Sequence, residues 1–331
     1  MAAEIYIISG FLGAGKTTLI QKLLKEGFHK EKVILIENDF GEISVDAALL
    51  KSGSVEVKEI NSGCICCSLS GDFIKALKEV LDRFQPDKII IEPSGVGKLS
   101  DVVKCCSDSR IQALASVKLK ITVADVKRCR MYLDNFGEFF EDQIQNADVI
   151  LLSRIENYPD RISSAQTLIR NLNTHAVIIA TPWNEMNTSE LLFHNLQRDT
   201  QAIPVNHKNR HKWTYHDTHT HENHVHREDC HHDPCDCDHP HAEDVFDTVT
   251  IRTRQTFDSE DLRARISEME RSAKGTILRA KGIVHGINGY LSLQYLAGDI
   301  QISKCAAVGD MLCIIGRNLN RQQLCTLFDG E

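Results

Sequence analysis

"EIYIISGFLGAGKTTLIQKLLKEG", residues 4–27, decides the fold. Its first part is an apolar, β-branched run and its last part an amphipathic helical pattern. Between them stand Gly10, Phe11, Leu12, Gly13, Ala14, Gly15, Lys16 and Thr17. That octet matches G-x-x-x-x-G-K-[ST], in the strand-to-helix context that the motif requires. The glycines let successive backbone N–H groups turn inward around an anion. Lys16 adds charge at the β- and γ-phosphates, and the Thr17 hydroxyl is suited to hold Mg²⁺. The alternative is a glycine-rich turn that fits by accident. With strand and helix both in place, the residues point to nucleotide binding.

Outward from the loop, short apolar runs alternate with helical patterns. Strands are expected at 4–9, 32–37, 88–92, 119–125, 148–153 and 175–180, and helices at 16–27, 72–84 and 161–172. Such β-branched runs predict a parallel sheet covered on both faces. "SVEVKEI" (54–60) alternates and reads as an exposed, antiparallel edge. The expected fold class is α/β: a P-loop NTPase domain with a mostly parallel sheet over 1–204, then a small α+β C-terminal domain over 245–331. The latter reads as strand 245–253, helix 258–272, strands 276–284, 289–296, 299–304 and 310–316, and a helix near 320–328. Between the two, 205–244 carries eleven of the fifteen histidines with Cys230, Cys235 and Cys237, and reads as a low-complexity linker.

Composition narrows the function. At 331 residues, 42% hydrophobic and 25% charged, the chain buries a real core. A formal charge of −8 argues against a general nucleic-acid binder. No apolar run is long enough to span a bilayer, so no membrane partner is expected. The first residues lack the basic region of a signal peptide, which predicts a cytoplasmic protein. There the 12 cysteines should be thiols or metal ligands rather than disulfides.

A nucleotide hydrolase also needs an acid at the end of a neighbouring strand, to orient water or to reach Mg²⁺ through water. "KIIIEPSG" supplies Glu92, with Gly95 three residues later as a γ-phosphate sensor; a helix-capping turn is the alternative. Asp125 is a weaker candidate, equally explained as a cap. Where a base-reading loop would fall stands "LLSRIEN". Glu156 could accept from guanine there, Arg154 could lie over the base, and Ser153 begins the loop. A plain surface loop explains it as well, and guanine against adenine stays open.

"GCICC", 63–67, crowds Cys64, Cys66 and Cys67 into four positions. Closely spaced thiolates converge on zinc and similar ions. By spacing alone, two thiolates with a carboxylate or imidazole from elsewhere form the expected set, Glu37 and Glu42 being the nearby acids. Buried thiols acting as small hydrophobes are the alternative, and that reading is preferred for Cys105, Cys106, Cys129, Cys305, Cys313 and Cys325. The cluster lies between "ENDFGEISVD" (37–46) and the Glu92 strand, segments expected to rearrange when the γ-phosphate leaves.

"GFLGAGKTT" (10–18), "ENDFGEISVD", "GCICC", "EPSG" (92–95) and "GTILRAKGI" (275–283) together resemble the CobW-type family of P-loop GTPases, relatives of nickel-inserting hydrogenase and urease accessory GTPases. The resemblance covers nearly the whole chain outside the histidine-rich segment. It implies nucleotide binding by Gly13, Gly15, Lys16, Thr17 and Thr18. It implies a metal site at Cys66 with Cys64 and Cys67, which Glu37 or Glu42 would assist. It further implies GTP hydrolysis gating delivery of Zn²⁺, Co²⁺ or a related ion such as Ni²⁺ to a client metalloprotein, and leaves a homodimer open. The chain departs from the family at "SRIE" (153–156), where an N-K-x-D-like sequence is usual. The histidine-rich segment suits weak exchange of Zn²⁺, Ni²⁺ or Co²⁺, with a polar spacer as the alternative. Two other functions compete: a metal store in which nucleotide is structural, and a P-loop ATPase or kinase.

Overall fold

The computed structural model describes residues 2–28, 31–37, 56–59, 70–193 and 242–331. Its first sheet has seven strands: β1 (Ala3–Gly10), β2 (Val33–Glu37), β3 (Glu56–Glu59), β4 (Lys88–Glu92), β5 (Ala115–Asp125), β6 (Val149–Ser153) and β7 (Val177–Ile179). Their order is β3-β2-β4-β1-β5-β6-β7, and every pairing is parallel. β3 therefore differs from the antiparallel edge that its alternation suggests. Alternation reports that one face of a strand is wetter than the other. Alternation carries no information on whether the neighbouring strand runs parallel or antiparallel, and β3 pairs in parallel with β2.

The helices of this part are α1 (Lys16–Lys22), which continues as a π-helical turn over Leu23–Gly27, α2 (Ser70–Phe84), α3 (Leu99–Cys106), α4 (Ser109–Gln112), α5 (Cys129–Gln145), α6 (Ile162–Leu172) and α7 (Thr188–Phe193). They cover both faces, which is why β1, β2, β4 and β6 are largely apolar. Ile5 and Ile7 of β1 pack on one side with Ile34, Ile36, Ile89 and Ile91, beneath Leu77 of α2, Val102 of α3 and Phe140 of α5. Tyr6 and Ile8 point the other way, with Leu35 and Ile90, onto Leu19, Ile20 and Leu23. The two-residue period of a strand thus feeds two cores from one sequence run. No helix among the described residues is long and apolar enough to cross a membrane.

The second part begins with α8 (Ala242–Val245) and continues β8 (Asp247–Arg252), β9 (Thr256–Phe257), α9 (Ser259–Ser272), β10 (Thr276–Gly286), β11 (Gly289–Leu296), β12 (Asp299–Cys305), β13 (Met311–Arg317) and α10 (Arg321–Leu327). Asp258 caps α9 by accepting from the N–H groups of Glu260 and Asp261, at 2.8 and 2.7 Å. The sheet runs β12-β11-β10-β13-β8 in antiparallel pairs, with β9 parallel to β10. One face buries Ala280, Leu293 and Ile314 against Leu262, Ile266 and Met269 of α9 and Leu324 of α10. From the other face Leu278, Cys313 and Ile315 join the core of the first part, as does Phe246, whose ring centroid lies 5.4 Å from that of Phe136 and 5.1 Å from that of Phe139. The second sheet is sandwiched between its own helices and the first part.

Candidate nucleotide site and the interdomain cavity

The loop after β1 sits at the carboxyl edge of the first sheet, near its centre, where open α/β sheets bind ligands. Lys16 is buried and its Nζ donates to the Gly10 carbonyl at 3.0 Å. The same Nζ lies 4.0 Å from Glu92 Oε1. Thr17 Oγ1 donates to the Glu92 carboxylate, 3.3 and 3.4 Å from its two oxygens. The register of β4 against β1 and β2 brings Glu92 there from 75 residues away. Thr17 and Glu92 thus form an oxygen-donor pair beside a cation, the chemistry that suits a hard ion such as Mg²⁺.

Gly95 lies under the loop. A β-carbon there would meet the Leu12 backbone N and Cα at 2.9 Å, so only glycine allows this approach. The 93–97 turn is held from α5 by Gln143, whose Nε2 donates to the carbonyls of Gly95 and Gly97 at 3.2 and 2.8 Å. Tyr132, also of α5, donates to the Leu12 carbonyl at 3.0 Å. One helix therefore braces both the loop and the turn beneath it. Neither residue carries a motif that would reveal this in the sequence.

The residues expected to read a base are placed differently from one another. Arg154 adopts a left-handed backbone (φ 62°) that swings its side chain back over the loop. Its Nε lies 3.0 Å from Asp125 Oδ2, its Nη2 donates to the Gly13 carbonyl at 3.4 Å, and its Nη1 lies 3.5 Å from Asp299 of the second part. Asp125 also pairs with the buried Arg128 at 2.7 Å and accepts from the Lys127 N–H at 2.9 Å. It is both the turn-capping residue and the centre of an ion-pair cluster. The Ser153 hydroxyl is buried without a hydrogen-bond partner among the described residues, and Glu156 is exposed.

A cavity of about 280 Å³ lies over the loop. Gly13, Gly15, Lys16, Thr17, Thr18, Glu92 and Arg154 line it from the first part; Arg279, Gln294, Leu296, Asp299 and Gln301 close it from the second. Gly10, Ala14, Gly95, Ser153 and Glu156 do not line it. Nothing in the sequence signals that the second sheet faces the phosphate loop.

Cys64, Cys66, Cys67, Glu42 and the histidine-rich segment lie outside the described residues. Among the described residues no three His, Cys, Asp or Glu side chains gather as a metal site. Glu37, at the end of β2, is buried. Cys105, Cys106, Cys129 and Cys313 are buried thiols, Cys305 and Cys325 partly so, and none forms a disulfide. Burial pushes Cys106 and Cys129 up to about 12, so neither is a thiolate near neutral pH.

Lys281 of β10 is almost fully buried, and Cys313, Glu37 and Lys16 are among the titratable groups in electrostatic reach. Desolvation pushes its ammonium from 10.5 down to about 8, against the opposing pull of Cys313 and Glu37. Between those pH values the unfolded chain binds the extra proton at Lys281, so this one group makes stability rise with pH, by roughly 3 kcal/mol across the window, while the raised thiols of Cys106 and Cys129 oppose it above about pH 9. Urea midpoints from pH 7 to 10.5 measure this. The slope for Lys281→Met should lie below that of the native protein between pH 8 and 10.5, and an equal slope in both would show that Lys281 contributes none of it.

Compared with known proteins, residues 4–180 match the nucleotide-binding domain of the CobW/HypB/UreG family. Residues 246–330 match the C-terminal domain of the cobalamin synthesis protein CobW. The chain is 34% identical over 178 residues to the zinc chaperone CobW of Sinorhizobium sp, covering 45% of this chain and 50% of that one. It is 32% identical over 151 residues to the zinc chaperone YeiR of Escherichia coli, 45% of each chain. With the zinc-regulated GTPase metalloprotein activator 1 of Saccharomyces cerevisiae it shares 27% identity over 215 residues, 57% of this chain and 50% of that protein. The chain thus spans about half the length of the curated relatives it matches.

Proposed function

Because the chain belongs to the CobW/HypB/UreG family, with both its nucleotide-binding and its CobW C-terminal domain, we propose that it is a GTPase that carries a transition metal and releases it to a client metalloprotein under nucleotide control. The observation that carries the nucleotide half is the contact of Thr17 with Glu92 beside Lys16, at the mouth of a glycine-turned loop. The backbone N–H groups of Gly13 to Thr18 cradle the phosphates, and Lys16 offsets their charge. Thr17 and Glu92 are the residues that would hold Mg²⁺, whose chemistry would be to offset phosphate charge. Gly95, pressed against Leu12, couples loss of the γ-phosphate to movement of the turn before α3.

The metal half rests on the thiol cluster at Cys64, Cys66 and Cys67, with Glu37 or Glu42 as the oxygen ligand. Zinc is favoured by the names of the relatives; Co²⁺ and Ni²⁺ suit the same donors. Glu37 belongs to β2, which is hydrogen-bonded to the Glu92 strand, so a metal ligand and a nucleotide ligand share one rigid ladder. The test is GTP turnover with and without Zn²⁺ or Co²⁺, for the native protein and for Cys66→Ala. Metal should change the native rate severalfold and leave the variant unmoved. Equal rates in all four conditions would sink the coupling, and preference for ATP over GTP in a competition assay would replace the base.

A further inference from the structure

The second domain reaches the phosphate loop with polar side chains as well as apolar ones. In the β10–β11 register Arg279 stands opposite Leu296. Leu296 rests directly on Gly13: a β-carbon built there would fall 2.2 and 2.5 Å from its two δ-carbons. Arg279 therefore sits beside the residue that touches the loop, and it shares the cavity with Lys16, Thr17 and Glu92. The hairpin that carries this wall is fastened in place. Asp299 lies 3.5 Å from Arg154, and the Ala297 carbonyl accepts from Arg128 Nη2 at 3.3 Å.

This cavity suits a polyphosphate, and among the described residues of the first domain its cationic lining is Lys16 at the loop and Arg154, which is paired with Asp125. A guanidinium presents two parallel donors to phosphate oxygens and keeps its charge at any working pH. Nucleotide hydrolases use an arginine, supplied in cis or in trans, to stabilise the charge of the transferring phosphoryl group. We propose that Arg279 is a catalytic residue supplied in cis by the second domain. Its guanidinium binds phosphate oxygens of the nucleoside triphosphate. There it stabilises the charge that develops as a water oxygen bonds to the γ-phosphorus and the bond to the β–γ bridging oxygen breaks. The electron pair of that bond stays on the diphosphate, and the proton lost by water ends on inorganic phosphate. The proposal deepens the GTPase reading and rests on it. It makes turnover conditional on the second domain being seated on the loop.

Native protein, Arg279→Ala and Arg279→Lys are compared by GTP and GDP affinity, single-turnover hydrolysis, and trapping of GDP with aluminium fluoride. Hydrolysis by Arg279→Ala should fall on the order of 10²–10³-fold, as for loss of one transition-state donor, with GDP affinity held within about threefold. Trapping with aluminium fluoride should be lost, and lysine, lacking the two-pronged geometry, should restore little of either. A purely structural role would lower GDP affinity and thermal stability together instead of splitting turnover from binding. If Arg279→Ala does not fold by circular dichroism, Arg279→Lys decides alone: native turnover and trapping in it overturn the proposal. Unchanged hydrolysis in both variants overturns the role of Arg279 and leaves the GTPase reading standing, whereas a native protein that binds no GTP removes both.

Discussion

Replacing Asp125 with alanine should cost about 3–5 kcal/mol of unfolding free energy, the scale for removing one partner of a buried ion pair. Asp125 is 2% exposed and Arg128 3%, so solvent cannot take over the stranded guanidinium. The loss extends beyond one pair. Arg154, held by the same carboxylate, also contacts the Gly13 carbonyl and Asp299, so the variant should loosen the phosphate loop and the seat of the second domain together. Urea unfolding at pH 7 gives the number. Asp125→Asn, which keeps an acceptor for the Lys127 N–H, should fall less far. A shift below about 1 kcal/mol for alanine would mean that the two arginines find other partners, and that this cluster does not hold the domains in register.

The second large effect is on turnover. Glu92→Gln preserves shape and leaves Thr17 an acceptor, but removes the negative charge 4.0 Å from Lys16. If Glu92 helps to hold Mg²⁺, hydrolysis should fall on the order of 10²–10³-fold at ordinary Mg²⁺ and recover in part as the ion is raised. If Glu92 orients the attacking water instead, the same loss should persist at every Mg²⁺ concentration. Its contact with the Thr17 hydroxyl favours the first outcome. Turnover within a few-fold of native would exclude both roles.

Much of this molecule is legible in the sequence, for identifiable reasons. β1, β2, β4 and β6 announce themselves because a strand covered on both faces must be apolar at every position. The loop is legible because only glycine permits backbone to approach a phosphate, and such glycines fall at fixed spacings. What escapes the sequence is set by tertiary placement. The direction of β3 is not encoded in the alternation of its own residues. Arg154 reads as a base-loop residue by its position, yet its left-handed backbone turns it towards Asp125, Gly13 and Asp299. Arg279 lies more than 260 residues from Lys16 along the chain, and only the docking of two sheets makes them neighbours.

Phe246 has a further consequence. It packs tilted against Phe136 and edge-on to Phe139, with its ring centroid 6.4 Å from that of Phe11 inside the phosphate loop, while Ala242 is buried in the same core. Cutting the chain where its composition changes would strip these groups from the amino-terminal piece. A greasy aromatic face would then be open to water, and such faces drive self-aggregation. In architectural terms the residues from Ala242 onward begin inside the body formed by residues 2–193, because their first buried side chains belong to its interior.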